Sequence, residues 1–121
     1  MLAHSPSQPI GIDAEPVTRK VGVARSFVMR DGEHTALAPE IEEKYMLLRW
    51  TAYEAVYKLA GGSDYKERLS VPCFAPGPSG FFAVSLQGCM GGDYALSYIF
   101  DEGLLLSLCV EGRVVPQIVR L

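Results

Sequence analysis

The chain has 121 residues, 49% hydrophobic and 21% charged, with 12 Gly and 8 Pro, which suits a single domain spanning 1–121 and excludes a disordered or collagen-like polymer. Eleven Lys and Arg stand against 14 Asp and Glu, a net charge of −3, and this argues against a generic nucleic-acid binder. No apolar run reaches the roughly 18–20 residues of a membrane span, the first ten residues lack the basic and apolar regions of a signal peptide, and Cys73, Cys89 and Cys109 form no zinc pattern, so a reducing, cytoplasmic setting without membrane insertion is expected.

Residues 10–15 (Ile-Gly-Ile-Asp-Ala-Glu) read as a short strand ended by Pro16. Residues two apart on a strand share a face, so Asp13 and Glu15 point one way and Ile12 and Ala14 the other. Taken alone, the acidic pair is a solvated strand end. Residues 17–30 hold a short helix around Val21 to Met29, and Arg19, Lys20, Arg25 and Arg30 make it the one basic stretch of an acidic chain.

The clearest helix runs from Pro39 to Ala60. Pro39 suits the first helical position, Glu40, Glu42 and Glu43 sit near the positive end of the helix dipole, and Gly61-Gly62 supplies the stop. Ile41, Tyr45, Leu48, Ala52, Ala55 and Leu59 recur at spacings of three and four and form a core-facing stripe. Glu54 and Lys58 share another face, where pattern alone reads a surface salt bridge. Loops are expected at 61–64 and 76–80. Phe81 to Leu86 is a strand. Tyr94 to Phe100 and Leu104 to Val110 form a hairpin around Asp101-Glu102-Gly103. The second arm is apolar on both faces, which marks a central strand or one covered by another subunit. Val114-Val115 and Ile118-Val119 flank Pro116 and suit an edge. The expected fold is α+β, one long helix packed on a small, mainly antiparallel sheet, with Ile41, Leu48, Ala55, Leu59, Leu96, Tyr98, Leu106 and Leu108 in the core.

Two segments in order carry a resemblance. Pro9-Ile10-Gly11-Ile12-Asp13-Ala14-Glu15 resembles the Gly-(Ile/Val)-Asp-x-Glu strand of 4′-phosphopantetheinyl transferases. Residues 50–61, Trp-Thr-Ala-Tyr-Glu-Ala-Val-Tyr-Lys-Leu-Ala-Gly, resemble that family's Trp-(Ser/Cys/Thr)-x-Lys-Glu-(Ala/Ser)-x-x-Lys-x-x-Gly helix. The likeness extends over about residues 7 to 111.

The resemblance implies a Mg²⁺-dependent transferase that moves the phosphopantetheine arm of coenzyme A onto a serine of an acyl or peptidyl carrier protein. It implies Asp13, Glu15 and Glu54 as metal ligands, Glu54 also acting on the serine proton, and Lys58 contacting coenzyme A phosphate. It further implies a homodimer or homotrimer with sites between subunits, as in the small acyl-carrier-protein synthase branch, or a single lobe of the two-lobed branch. Carrier proteins are typically acidic, so Arg25 with Arg19 or Lys20 is the expected docking patch. Two features depart from the pattern. Tyr53 stands where the family has Lys, and His4 lies only nine residues before Asp13, too near to take the family's upstream His role. These departures fit an alternative, a non-catalytic lobe of the same family that binds a nucleotide or a partner. A further alternative is an α+β interaction domain with an incidental acidic pair.

Overall fold

The computed structural model describes residues 2–4, 9–17, 21–88, 91–112 and 117–119, with side chains described at 9–17, 25–88 and 91–112. The element order is β1 (Leu2–His4), β2 (Ile10–Pro16), α1 (Val21–Val28), α2 (Pro39–Ala60), α3 (Tyr65–Arg68), β3 (Leu69–Ser70), β4 (Ser79–Leu86), β5 (Gly92–Asp101), β6 (Leu104–Glu111) and β7 (Gln117–Val119). Strands β2-β6-β5-β4-β3 form one five-stranded antiparallel sheet, and β1 pairs with β7 in a separate two-stranded sheet. The fold is α+β, with α2 lying on one face of the larger sheet. The expected strand at 10–15, the short helix, the long helix and the 94–110 hairpin are all present; α3, β3 and β1 were not foreseen. Ser79 and Gly80, expected in a loop, already pair with β5. Residues 113–116 lie outside the described residues.

The β5–β6 hairpin closes through Glu102 and Gly103, both at positive φ (50° and 80°), as a two-residue turn with the hand that matches strand twist requires. Between β2 and β5, β6 is an interior strand, as its apolar composition implies. Register assigns the faces. The rows Gly11–Cys109–Leu96–Phe82 and Asp13–Ser107–Tyr98–Gly80 point toward α2, and the rows Ile12–Leu108–Ser97–Phe81 and Ala14–Leu106–Ile99–Ser79 point away. Buried residues on both faces of β6, such as Leu105 and Leu108, show that the outer face is also partly covered within the chain.

Helix α2 starts on Pro39 without a side-chain cap and stops at Gly61, whose N–H bonds to the Tyr57 carbonyl at 2.7 Å and whose φ is 70°. Its buried surface is wider than the expected stripe. Besides Tyr45, Leu48, Ala52 and Ala55, it includes Met46, Leu47, Arg49, Tyr53 and Val56, because the sheet covers one side and α1 another. Ile41, expected in the core, is 38% exposed, and Leu59 and Leu106 are half-buried. The described residues of the first turn and a half, 39–44, are exposed or half-buried, and Glu42 there is clasped by the Thr35 hydroxyl and by Arg25 at 2.5 Å. Among the described residues no helix is long and apolar enough to cross a membrane.

Candidate functional site

Strand β2 inverts the usual polarity of a half-buried strand. Ile12 faces outward, 39% exposed, while Asp13 and Glu15 are 7% and 8% exposed against α2. The acidic pair is therefore not a solvated strand end. Burying two carboxylates on one face costs desolvation and mutual repulsion unless partners offset both. Helix α2 supplies the partners. Lys58 Nζ donates to Asp13 Oδ1 and to the Ile12 carbonyl, each at 2.9 Å. Trp50 Nε1 donates to Glu15 Oε1 at 3.0 Å.

Trp50, Glu54 and Lys58 are spaced by four and form one row along α2. The two ends of the row grip the two carboxylates of β2, and half-buried Glu54 occupies the turn between them. Close approach of strand and helix makes this possible: a Cβ on Gly11 would come within 2.0 Å of the Ala55 carbonyl oxygen. Below the pair, Thr51 Oγ1 and Ser107 Oγ share a buried hydrogen bond of 2.6 Å that ties α2 to β6.

Asp13 keeps one oxygen unmatched. Its Oδ2 is, among the described residues, the one buried side-chain polar atom without a hydrogen-bond partner. Burial raises the Asp13 carboxyl above its ordinary value and the Glu15 charge adds to this, while the Lys58 bond opposes both. The donor chemistry fits a hard divalent cation: carboxylate oxygens, one of them buried and unpartnered. Among the described residues, however, no three His, Cys, Asp or Glu side chains are grouped so as to hold a metal, and Asp13, Glu15 and Glu54 do not form such a group here.

Other expected residues are placed as follows. Lys58 is bound to Asp13 rather than to Glu54, so the surface pair read from their spacing is replaced by a cross-element one. Tyr53 is buried; its hydroxyl donates to the Val28 carbonyl at 2.7 Å and accepts from Arg49 Nε at 3.0 Å, so it offers no free hydroxyl to a phosphate. Arg25 bonds Glu42 and the Glu33 carbonyl, bracing the segment before α2. Arg19 and Lys20 lie outside the described residues. Cys109 is buried and burial pushes its thiol up to about 12, which leaves it inert near neutral pH.

Sequence reasoning did not foresee the role of Arg49. It is 3% exposed on α2, meets Glu33 with both terminal nitrogens at 2.8 and 2.9 Å, and reaches Met29 Sδ at 3.3 Å. Burial works against its charge, but Glu33 and Tyr53 more than offset this and hold the guanidinium firmly protonated. A single Arg in a helix next to a Trp carries no pattern that announces a buried clamp. No protein-family model matches the chain, and no curated protein matches it.

Proposed function

We propose that the chain is a short or single-lobe member of the 4′-phosphopantetheinyl transferase superfamily and moves the phosphopantetheine arm of coenzyme A onto a carrier-protein serine. The observation that supports this reading is the row Trp50–Glu54–Lys58 lying along the buried pair Asp13–Glu15, with an unpartnered Asp13 oxygen beneath it. To hold magnesium, whose charge would offset that of the pyrophosphate, Asp13, Glu15 and Glu54 would have to draw together into a group that they do not form here. Glu54 takes the proton of the serine hydroxyl as its oxygen forms the new O–P bond. The pyrophosphate P–O bond breaks, and the adenosine bisphosphate portion leaves. Lys58, half-exposed at its tip, turns from Asp13 to the phosphates in this scheme. In this reading a neighbouring copy in a homodimer or homotrimer supplies further coenzyme A contacts.

A second reading has its own support. Lys58 is already paired with Asp13, and Tyr53 replaces a family lysine while facing inward, so a non-catalytic lobe that binds a nucleotide or a partner is consistent with the same contacts. Incubation with coenzyme A, Mg²⁺ and a panel of apo carrier proteins, followed by intact-mass measurement, separates the two. The transferase reading predicts a carrier heavier by one phosphopantetheine, lost in Glu54→Gln. Saturable coenzyme A binding with no carrier modified by any member of the panel supports the second reading.

Docking of the acidic carrier on Arg25, with Arg19 or Lys20, belongs to the transferase reading. Because Arg25 also holds Glu42, Arg25→Glu disturbs the protein locally, and salt is the discriminating variable. A docking role gives a transfer rate depressed at low salt and restored toward that of the unmodified protein at high salt, with coenzyme A binding intact. A loss independent of salt points to the Glu42 brace alone.

A further inference from the structure

Asp13 already has a cation, and that cation is tied covalently to the chain. Lys58 Nζ lies 2.9 Å from Asp13 Oδ1 and 2.9 Å from the Ile12 carbonyl oxygen. A side-chain carboxylate and a main-chain carbonyl are also oxygen donors that a hard divalent cation takes from a protein. The ammonium does not saturate this seat, because Asp13 Oδ2 is buried and has no hydrogen-bond partner among the described residues.

The contact combines a buried acceptor with an accessible donor. The Asp13 side chain is 9% exposed and that of Lys58 is 49% exposed, so the ammonium closes the carboxylate off from the solvent side. Lys58 stands in the last turn of α2 and is an exposed residue, so its flexible stem can swing into water without opening the core. While in place, a tethered ammonium competes with free ions at a high effective concentration, roughly millimolar for short tethers. A divalent ion cannot share the seat with it. Two cations about 4 Å apart repel by several times the thermal energy even at an effective dielectric of about 20.

We propose that the Lys58 ammonium is a built-in occupant of the cation seat at Asp13, and that a hard divalent cation reaches this carboxylate only by displacing it. The exchange regulates the same site as the transferase reading and rests on that reading for magnesium as the entering ion. Trp50 is placed to report it. It is the one tryptophan of the chain, and its indole bonds at 3.0 Å to Glu15, which shares a face of β2 with Asp13.

Terbium, a hard ion that takes the same oxygen donors, emits when a nearby excited indole passes energy to it. Terbium titrated into the full chain under tryptophan excitation gives the affinity at the acidic pair. Lys58→Met is expected to bind roughly tenfold or more tightly than the unmodified protein, since a unit charge at contact distance is gone. Lys44→Met removes an equal charge from an exposed position elsewhere on α2 and should stay within about twofold. Asp13→Asn added to Lys58→Met should abolish the gain. Lys58→Gln, which keeps a donor for the Ile12 carbonyl, takes the place of Lys58→Met if far-UV circular dichroism shows the latter unfolded. Magnesium should raise the melting midpoint of the Lys58 variant more than that of the unmodified protein, at matched ionic strength. Equal terbium affinity with and without Lys58, an equal gain in Lys44→Met, a gain that survives Asp13→Asn, no tryptophan-sensitised emission from any of the proteins, or the same magnesium shift with and without Lys58 each overturns the proposal. Neither coenzyme A nor a carrier protein is present, so a failure of this exchange and a failure of carrier modification are read separately.

Discussion

Arg49 shows how one buried charge organises its surroundings. Its guanidinium is 3% exposed, and Glu33, 30% exposed, answers it with both carboxylate oxygens. The Arg49 bond holds the Glu33 carboxyl below its ordinary value of 4.5, against the opposing effect of burial. A carboxyl with a depressed folded pKa contributes stability above its unfolded pKa and loses it as pH falls through the folded pKa. Asp13 has the opposite sign. Its folded pKa is raised above 3.8, so its ionisation costs stability as pH rises from that value. Denaturant melts from about pH 3 to 6 should therefore show an acid-side loss that flattens in Glu33→Gln. Glu33→Ala, which strands the Arg49 charge, is expected to cost about 2–3 kcal/mol, somewhat less than the 3–5 kcal/mol of fully buried pairs because Glu33 keeps contact with water. A Glu33→Ala protein with the parent midpoint and pH slope would show that the clamp contributes nothing.

At the level of elements, the contact between β2 and α2 decides how the acidic pair is presented. Gly11 and Ala55 allow the strand to lie against the helix, and two turns of α2 then place Trp50 and Lys58 over Glu15 and Asp13. The missing Cβ matters because the atom it would meet is backbone, the Ala55 carbonyl, which cannot swing aside as a flexible side-chain end can. Gly11→Ala should destabilise by about 1–3 kcal/mol, the range for overpacked cores, and should red-shift Trp50 emission as the indole moves from Glu15. On the outward face, Ala14→Ser should stay within about 0.5 kcal/mol. If the two variants melt alike, the close approach does not set the strand's position.

For the molecule as a whole, the two faces of the five-stranded sheet differ. The inner face is closed by α2. On the outer face Leu108 and Val110 are buried, while Ile12, Leu104 and Phe81 are 39%, 49% and 69% exposed. Scattered apolar exposure is ordinary, but three large residues on one sheet face offer a surface that a copy of the chain can cover. On the proposed reading, light scattering at micromolar concentration gives a dimer or trimer, and Phe81→Glu with Leu104→Glu gives a monomer that still melts cooperatively. A monomeric parent protein at that concentration counts against self-assembly through this face.

Local rules were enough to read β2, α1, α2 and the β5–β6 hairpin from residue order, though not the short α3, β3 and β1. Proline and acidic residues at its start and the glycine pair at its end bound α2, a Gly-containing turn between apolar runs marks the hairpin, and alternation puts Asp13 and Glu15 on one side of β2. These signals act within a few residues, so they survive without knowledge of the partners. What faces what was decided only by packing. A period of two cannot say that the polar face of β2 turns inward, since that depends on Lys58 and Trp50 arriving from a helix more than thirty residues away. A period of 3.6 cannot widen the buried stripe of α2 to include Arg49 and Tyr53, because α1 covers a second side of the helix. An aromatic cavity beside α2 is non-local in the same way: Phe27, Trp50 and Tyr65 are ordinary in their own segments and become walls only when three helices bring their rings together.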